Sequence, residues 1–296
     1  MRDAFSTYHP AVAFFYFALV LGFAMLFLHP AALAISLAGG FSWSVYLGGK
    51  KALLFNLGAL LPMLAVTALI NPAFNHEGGT ILAYLPSGNP LTLESILYGL
   101  AAASMLAAVL LWFSCYNRVM TSDKFVYLFG RVIPALSLVL SMALRFVPRF
   151  KAQLKLVSGA QRCVGRDIST GSLWARARHG VRILSIMVTW ALENAIDTAD
   201  SMKSRGYGLP GRTAFSIYRF DGRDKNTLLW VGALGFYIIA MSLAGGTYVR
   251  YFPTFQSAPL SAWSVSAFAA YALLCATPLI IDCWEEKQWK HSRCGT

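Results

Sequence analysis

Charge is what this sequence has least of. Only 13% of its 296 residues are Asp, Glu, Lys or Arg, while 57% are hydrophobic. A soluble domain carries roughly twice that share of charge. The scarcity excludes an ordinary soluble fold, because one core could not hide so much apolar surface. Cysteine is also sparse. Cys115, Cys163, Cys275, Cys283 and Cys294 are odd in number, form no CxxC pair, and several lie in or beside apolar runs. Neither a disulfide framework nor a zinc site follows from them. GxxxxGK[ST], GxSxG and HExxH are all missing, so no P-loop, hydrolase elbow or zincin helix is expected. His76-Glu77 is followed by Gly-Gly-Thr and reads as a turn between helices. The remaining histidines, His9, His29, His179 and His291, are scattered. No aromatic-interleaved basic patch points to nucleic acid.

What is present is a series of long apolar runs: 11–28, 31–47, 52–70, 96–116, 132–147, 227–244 and 263–281. A helix needs about 20 such residues to cross a bilayer. The first run follows Arg2, but it is longer than a signal-peptide core and further spans come after it, so a retained first helix is expected. The net charge of +12 then belongs to loops on the cytoplasmic side. Lys50-Lys51 is basic, the connection 71–94 holds no Lys or Arg, and Arg118, Lys124 and Arg131 make the next one basic. Run 132–147 lies between two basic connections, is short, and holds Pro134. It is expected to pack inside the bundle or lie along the surface rather than cross. Six crossings result, with both termini inside, and the tail Lys287, Lys290, Arg293 agrees with this. Arg250 is the one basic residue of the last external loop.

Segment 149–225 is different in kind. It carries 14 of the 25 Lys and Arg residues in about a quarter of the chain. Its pattern is helical, with one helix over 148–163 and a longer one over 173–205. Pro148 suits a first turn, Gly165 a stop, and "DISTGS" a turn of capping residues. Gly206, Gly208, Pro210 and Gly211 end the second helix. The expected fold class is all-α: a polytopic membrane helical bundle (1–147 and 226–296) with a cytoplasmic helical coupling module of two long helices (148–225).

Both module helices finish on Arg and Gly: Arg162, Gly165 and Arg166 in the first, Ser204-Arg205-Gly206 in the second. One such end reads equally well as a self-stabilising cap, since a cation suits a helix C-terminus. Two consecutive ones suggest docking tips, where an Arg fork can pair with a partner's carboxylates. Glu193, Asp197 and Asp200 share a helix face by their spacing. They are expected to form ion pairs with the neighbouring helix rather than hold a metal.

At these residues the sequence resembles the transmembrane T component of energy-coupling factor (ECF) transporters, of the CbiQ/EcfT-like family. The resemblance rests on "YHPAVAFFYF" near the start, "LRFVPRF" at 144–150, and the two helices with Ala-Arg-Gly-type endings. The second motif is Ser204-Arg205-Gly206, with Ser for Ala. The first aligns with Cys163-Val164-Gly165, where Val164 replaces the family's Arg and flanking Arg162 or Arg166 is left to supply the charge. The resemblance implies a non-catalytic coupling subunit of an ABC-type importer of vitamins or metal ions, in a prokaryotic cell membrane. Two ATPase subunits would bind the ATP and Mg, and this chain would bind no cofactor. A substrate-binding membrane protein, the S component, would ride on the helices through Ile183, Met187 and Trp190. Met142 and Met202 fit such a sliding surface as well as an ordinary core. A self-contained permease or channel, or a membrane-embedded lipid enzyme, stands as the alternative.

Overall fold

A computed structural model of the chain describes residues 4–84, 90–130, 133–210, 218–257, 259 and 261–294. Arg131 and Gly211, named above, and the first residue of run 132–147 lie outside the described residues. In chain order the helices are α1 (Pro10–Leu26), α2 (Pro30–Phe55), a π-helical turn (Asn56–Leu60) and α3 (Leu61–Phe74). The short hairpin β1 (Ile81–Tyr84) and β2 (Pro90–Thr92) follows. Next come α4 (Leu93–Val119), α5 (Ser122–Gly130), α6 (Pro134–Cys163), α7 (Leu173–Ser204) and α8 (Gly222–Leu243). A second hairpin, β3 (Val249–Arg250) with β4 (Gln256–Ser257), precedes α9 (Ala262–Cys294). The all-α class is as the sequence predicts.

Among the described residues four helical stretches are long and apolar enough to cross a membrane: Pro30–Phe74, Leu93–Val119, Gly222–Leu243 and Ala262–Lys287. α1 is apolar and has 17 residues, about 25 Å of helix and the lower limit for a span. The stretch Pro30–Phe74 is two spans. Gly49 adopts φ 58° and ψ −149°, which breaks the helical path. Asn56 Nδ2 then donates to Ser44 Oγ at 3.0 Å across 12 residues of sequence. Straight helix would hold those residues about 18 Å apart. The chain therefore doubles back at Gly48-Gly49-Lys50-Lys51, the basic turn expected between runs 31–47 and 52–70.

The described helices sort into two compact units, one of residues 1–121 with 218–296 and one of residues 122–217. The first unit holds α1–α4, α8 and α9 around an aromatic core. Tyr16, Phe17, Trp43 and Trp112 are fully buried and meet edge to face, stacked or tilted, and buried Tyr271 meets Phe23 and Phe27 edge to face. Such pairs add about 0.5–1.5 kcal/mol each beyond burial. Trp112 Nε1 donates to Ser36 Oγ at 3.0 Å, so its polar edge is satisfied inside the bundle. Gly39 and Gly40 let α2 come close to its neighbours: a Cβ on Gly39 would lie 2.9 Å from Cys275 Cβ, and one on Gly40 3.2 Å from Leu111 Cβ. Small residues at helix contacts are the usual means of close packing in lipid, where apolar burial supplies little drive.

The stretch around "YHP" is a structural hub of this unit. The backbone N–H of Phe5 donates to Asp282 (3.1 Å), and that of His9 to Asp224 (3.1 Å). Asp224 and Asp221 form a capping box on α8. Arg223 reaches Glu285 at 2.9 Å and Thr7 Oγ1 at 3.2 Å, and lies over the Tyr8 ring. The N-terminal turn is thus tied to the start of α8 and to α9.

His9 and His29 each precede a Pro-Ala pair and cap α1 and α2 in the same way. Each ring Nδ1 accepts from the backbone N–H two residues on, at 3.2 Å. A protonated ring cannot accept, and it would set a cation on the positive end of a helix. Burial lowers the pKa of both rings below the ordinary histidine value, with Asp224 partly opposing this at His9. A lowered folded-state pKa contributes stability above the unfolded value, and that stability is lost as pH falls through the folded value. The melting temperature in detergent is expected to drop as pH falls below the ordinary histidine value of about 6.5. Replacing both histidines by Asn, which caps without titrating, should flatten that part of the profile. A cap is worth about 1 kcal/mol. An unchanged slope in the double Asn variant would remove the assignment.

The second unit holds α5, α6 and α7. Pro148 does not begin a helix, contrary to the sequence reading. It lies inside α6, which runs unbroken from Pro134 to Cys163 and joins run 132–147 to the segment after it. A proline here costs one backbone bond, to the carbonyl of Leu144 four residues earlier, and the helix passes through.

Candidate docking tips and the groove beside them

α6 and α7 end in the same backbone motif. At the first end Gly165 N–H donates to Arg162 O (3.0 Å) and Arg166 N–H to Gln161 O (2.9 Å). At the second, Gly206 N–H donates to Lys203 O (3.0 Å) and Tyr207 N–H to Met202 O (3.0 Å). Both glycines have positive φ, 76° and 82°. These are Schellman caps, which require a left-handed residue just past the helix and favour Gly there. The match puts Val164 in the position of Arg205, and Cys163 in that of Ser204.

The two ends present different chemistry. Val164 is 66% exposed and apolar. Arg162 makes an ion pair with Asp167 at 3.2 Å. Asp167 is itself held by Ser169, whose hydroxyl and backbone N–H both donate to it. Those hydrogen bonds, with Arg162 adding to them, lower the Asp167 pKa below the usual carboxylate value. The turn is tightened further by Arg176 Nε donating to Ile168 O at 2.7 Å and by Ser172 capping α7. At the second end Arg205 is exposed and has no ion pair among the described residues.

The two ends also lie far apart. Phe150 meets Trp190 edge to face, with ring centroids 5.2 Å apart. The part of α6 before Phe150 shares a groove with the part of α7 after Trp190. The helices therefore run antiparallel past this crossing, and their C-terminal tips diverge. Counting residues from the crossing gives roughly 40 Å of helix between the tips.

The acidic trio behaves differently from expectation. Glu193, Asp197 and Asp200 are exposed, and among the described residues none has an ion pair within 4.0 Å. Asp197 alone of the three lines the groove shared with α6. No group of three metal-ligating side chains occurs among the described residues. Ile183 and Met187, expected to meet a partner, are 3% and 7% exposed and so already covered within this chain. Trp190 is half-buried against Phe150, with Arg149 over its ring. The exposed apolar residues of α7 include Val181, Leu184, Val188 and Leu192. At 100° per residue they fall on the face opposite Ile183, Met187 and Trp190. Stretch 183–192 is apolar nearly all round, so its composition could not say which face is covered.

The groove, about 720 Å³, was not foreseen. Arg145 and Arg149 on α6 and Arg205 on α7 line it together with the hydroxyl residues Thr198 and Ser201. Its signal was legible in "LRFVPRF", where the two arginines are four apart and share a helix face.

The described chain is an all-α polytopic membrane protein with a pair of crossed helices, each closed by a glycine cap beside basic residues. The chain is similar to the energy-coupling factor transporter transmembrane protein EcfT of Lactobacillus helveticus, with 36% identity over 99 residues (33% of this chain and 36% of that one). It is similar to EcfT of Exiguobacterium sibiricum, with 33% identity over 112 residues (38% and 42%). Against EcfT of Listeria innocua the similarity is 27% over 228 residues (71% and 84%). The matches to the first two relatives span about two-fifths of their length. No family model matches the chain. These similarities to energy-coupling factor transmembrane proteins agree with the resemblance read from the motifs.

Proposed function

We propose that this chain is the coupling subunit of an ECF-type importer in a prokaryotic cell membrane, with both termini on the cytoplasmic side. The tips of α6 and α7 engage two ATPase subunits, which bind and hydrolyse ATP with Mg; this chain carries no catalytic group of its own. The open apolar stripe Val181–Leu184–Val188–Leu192 receives the S component, which binds the vitamin or metal ion. The observation that carries this reading is the pair of matching glycine-capped tips, set at opposite ends of crossed helices. Two tips roughly 40 Å apart along helix suit two separate motor grooves. A continuous helix of 32 residues suits a lever, because its backbone bonds leave few soft joints.

The test is purification in mild detergent from cells expressing the whole operon, with identification of what co-elutes. ATPase subunits and a small membrane protein should be recovered in fixed ratio. Recovery of the chain alone, with substrate uptake in vesicles containing it alone, would sink the reading. The tips should also differ in sensitivity. Arg162 is already engaged by Asp167, so Arg162→Ala should reduce ATP-driven uptake only a few-fold, by loosening an exposed pair worth at most about 1 kcal/mol. A loss as large as that from changing Arg205 would contradict this ordering.

A further inference from the structure

We infer that the groove between α6 and α7 binds the phosphate of an anionic membrane phospholipid. Arg145, Arg149 and Arg205 face into it against a single carboxylate, Asp197. None of the four makes an ion pair within 4.0 Å among the described residues, so the excess positive charge is unspent. A guanidinium is the side chain best shaped to grip phosphate with paired donors. Met142 and Phe146 line the same groove. Apolar surface beside an Arg cluster suits a lipid, whose phosphate sits at the root of its acyl chains, better than a free anion.

The sequence of α6 indicates the depth at which this groove lies. Residues 134–144 carry no charge; then come Arg145, Arg149, Lys151 and Lys155. Such a switch from apolar to basic along one helix marks the level of the headgroups on the cytoplasmic face, where anionic lipids gather. The site draws chiefly on Arg145 and Arg149, which the motor-docking reading does not use; Arg205 is shared with that reading, so the test is made on the α6 arginines and Asp197.

The experiment is native mass spectrometry of the full-length chain, delipidated in neutral detergent. It is titrated separately with phosphatidylglycerol, phosphatidylcholine and inorganic phosphate. Phosphatidylglycerol adducts should persist at activation that strips phosphatidylcholine, and phosphate should not displace them. The double variant R145Q/R149Q should weaken phosphatidylglycerol binding about thirtyfold. Asp197→Asn should strengthen it about fivefold by removing the one repelling charge, a gain that misfolding cannot mimic. Equal retention of the two lipids, or full retention in R145Q/R149Q with no gain in Asp197→Asn, would overturn the site. Displacement by phosphate would make it a free-anion site instead. Loss of co-purifying ATPase subunits in R145Q/R149Q with lipid binding intact would make it a protein-docking surface.

Discussion

Arg205→Glu is expected to bring ATP-driven uptake to background while the chain still reaches the membrane. The reason lies in the geometry of the second tip. Ser204, Arg205 and Gly206 form the end of α7, and the Schellman cap fixes the backbone there through two hydrogen bonds of 3.0 Å. The guanidinium is therefore presented on a fixed mount, and no acid among the described residues competes for it. Removing one partner of a desolvated charge pair costs about 2–5 kcal/mol. Reversing the charge adds repulsion to that loss. The fall in affinity should exceed tenfold, enough to part the chain from the proposed ATPase partners during purification. Fold integrity is not at stake, because the side chain is exposed and contributes no contact to the core. The readouts are uptake in whole cells, ATPase subunits retained on the tagged chain, and the elution profile of the chain itself. Full uptake and full retention in Arg205→Glu would show that the tip is only a helix cap. Gly206 offers a second probe of the same mount. Its φ of 82° is one that side chains rarely adopt, and an added Cβ would sit 3.1 Å from Leu209. Gly206→Val should therefore weaken docking with Arg205 still in place.

Gly39→Leu is expected to abolish accumulation of the folded chain. A Cβ at this position would lie 2.9 Å from Cys275 Cβ, closer than such atoms approach. Cys275 Cβ is anchored to the backbone of α9, so relief requires a whole helix to move. That shift would disturb the fully buried residues beside it, Tyr271 and Leu274. Overpacking by even a few methylenes costs about 1–3 kcal/mol, and a rigid contact on α9 places this variant at the upper end. Gly22→Leu is the matched control: nothing lies within 4 Å of its Cβ position, so the same side chain should be tolerated. Fluorescence-detected gel filtration of tagged variants separates the two. Normal monodisperse yield from Gly39→Leu would show that α2 and α9 do not meet as closely as described here.

Several features of the molecule could be read without coordinates. The apolar runs located the spans, and the single basic turn at Lys50-Lys51 announced the reversal that Gly49 makes. The glycines after each basic helix end announced the caps. These succeed because each depends on neighbours in sequence: hydropathy over one span, or a backbone angle that one residue type supplies. The readings that changed depend on facing surfaces. Pro148 is a permitted helix start and also a tolerated interruption, and only the continuous path of α6 chose between them. The resemblance offers Ile183, Met187 and Trp190 to a partner, yet Ile183 and Met187 are covered within this chain and Trp190 is half-buried. Spacing suggests that the acidic trio pairs across helices, yet Asp197 alone faces the groove with the arginines, and none of the three comes within ion-pair distance of a cation among the described residues.

The order of residues by itself determined that this protein lives in a membrane, where it turns, and that two basic helices end in left-handed glycines, because those outcomes follow from local solvation and backbone sterics. Which face of α7 is open, that the two tips point away from each other, and that Arg145, Arg149 and Arg205 share one groove were decided only by tertiary structure. An antiparallel crossing brings together residues some 60 positions apart, and no short-range property of the chain encodes which side of each helix it will cover.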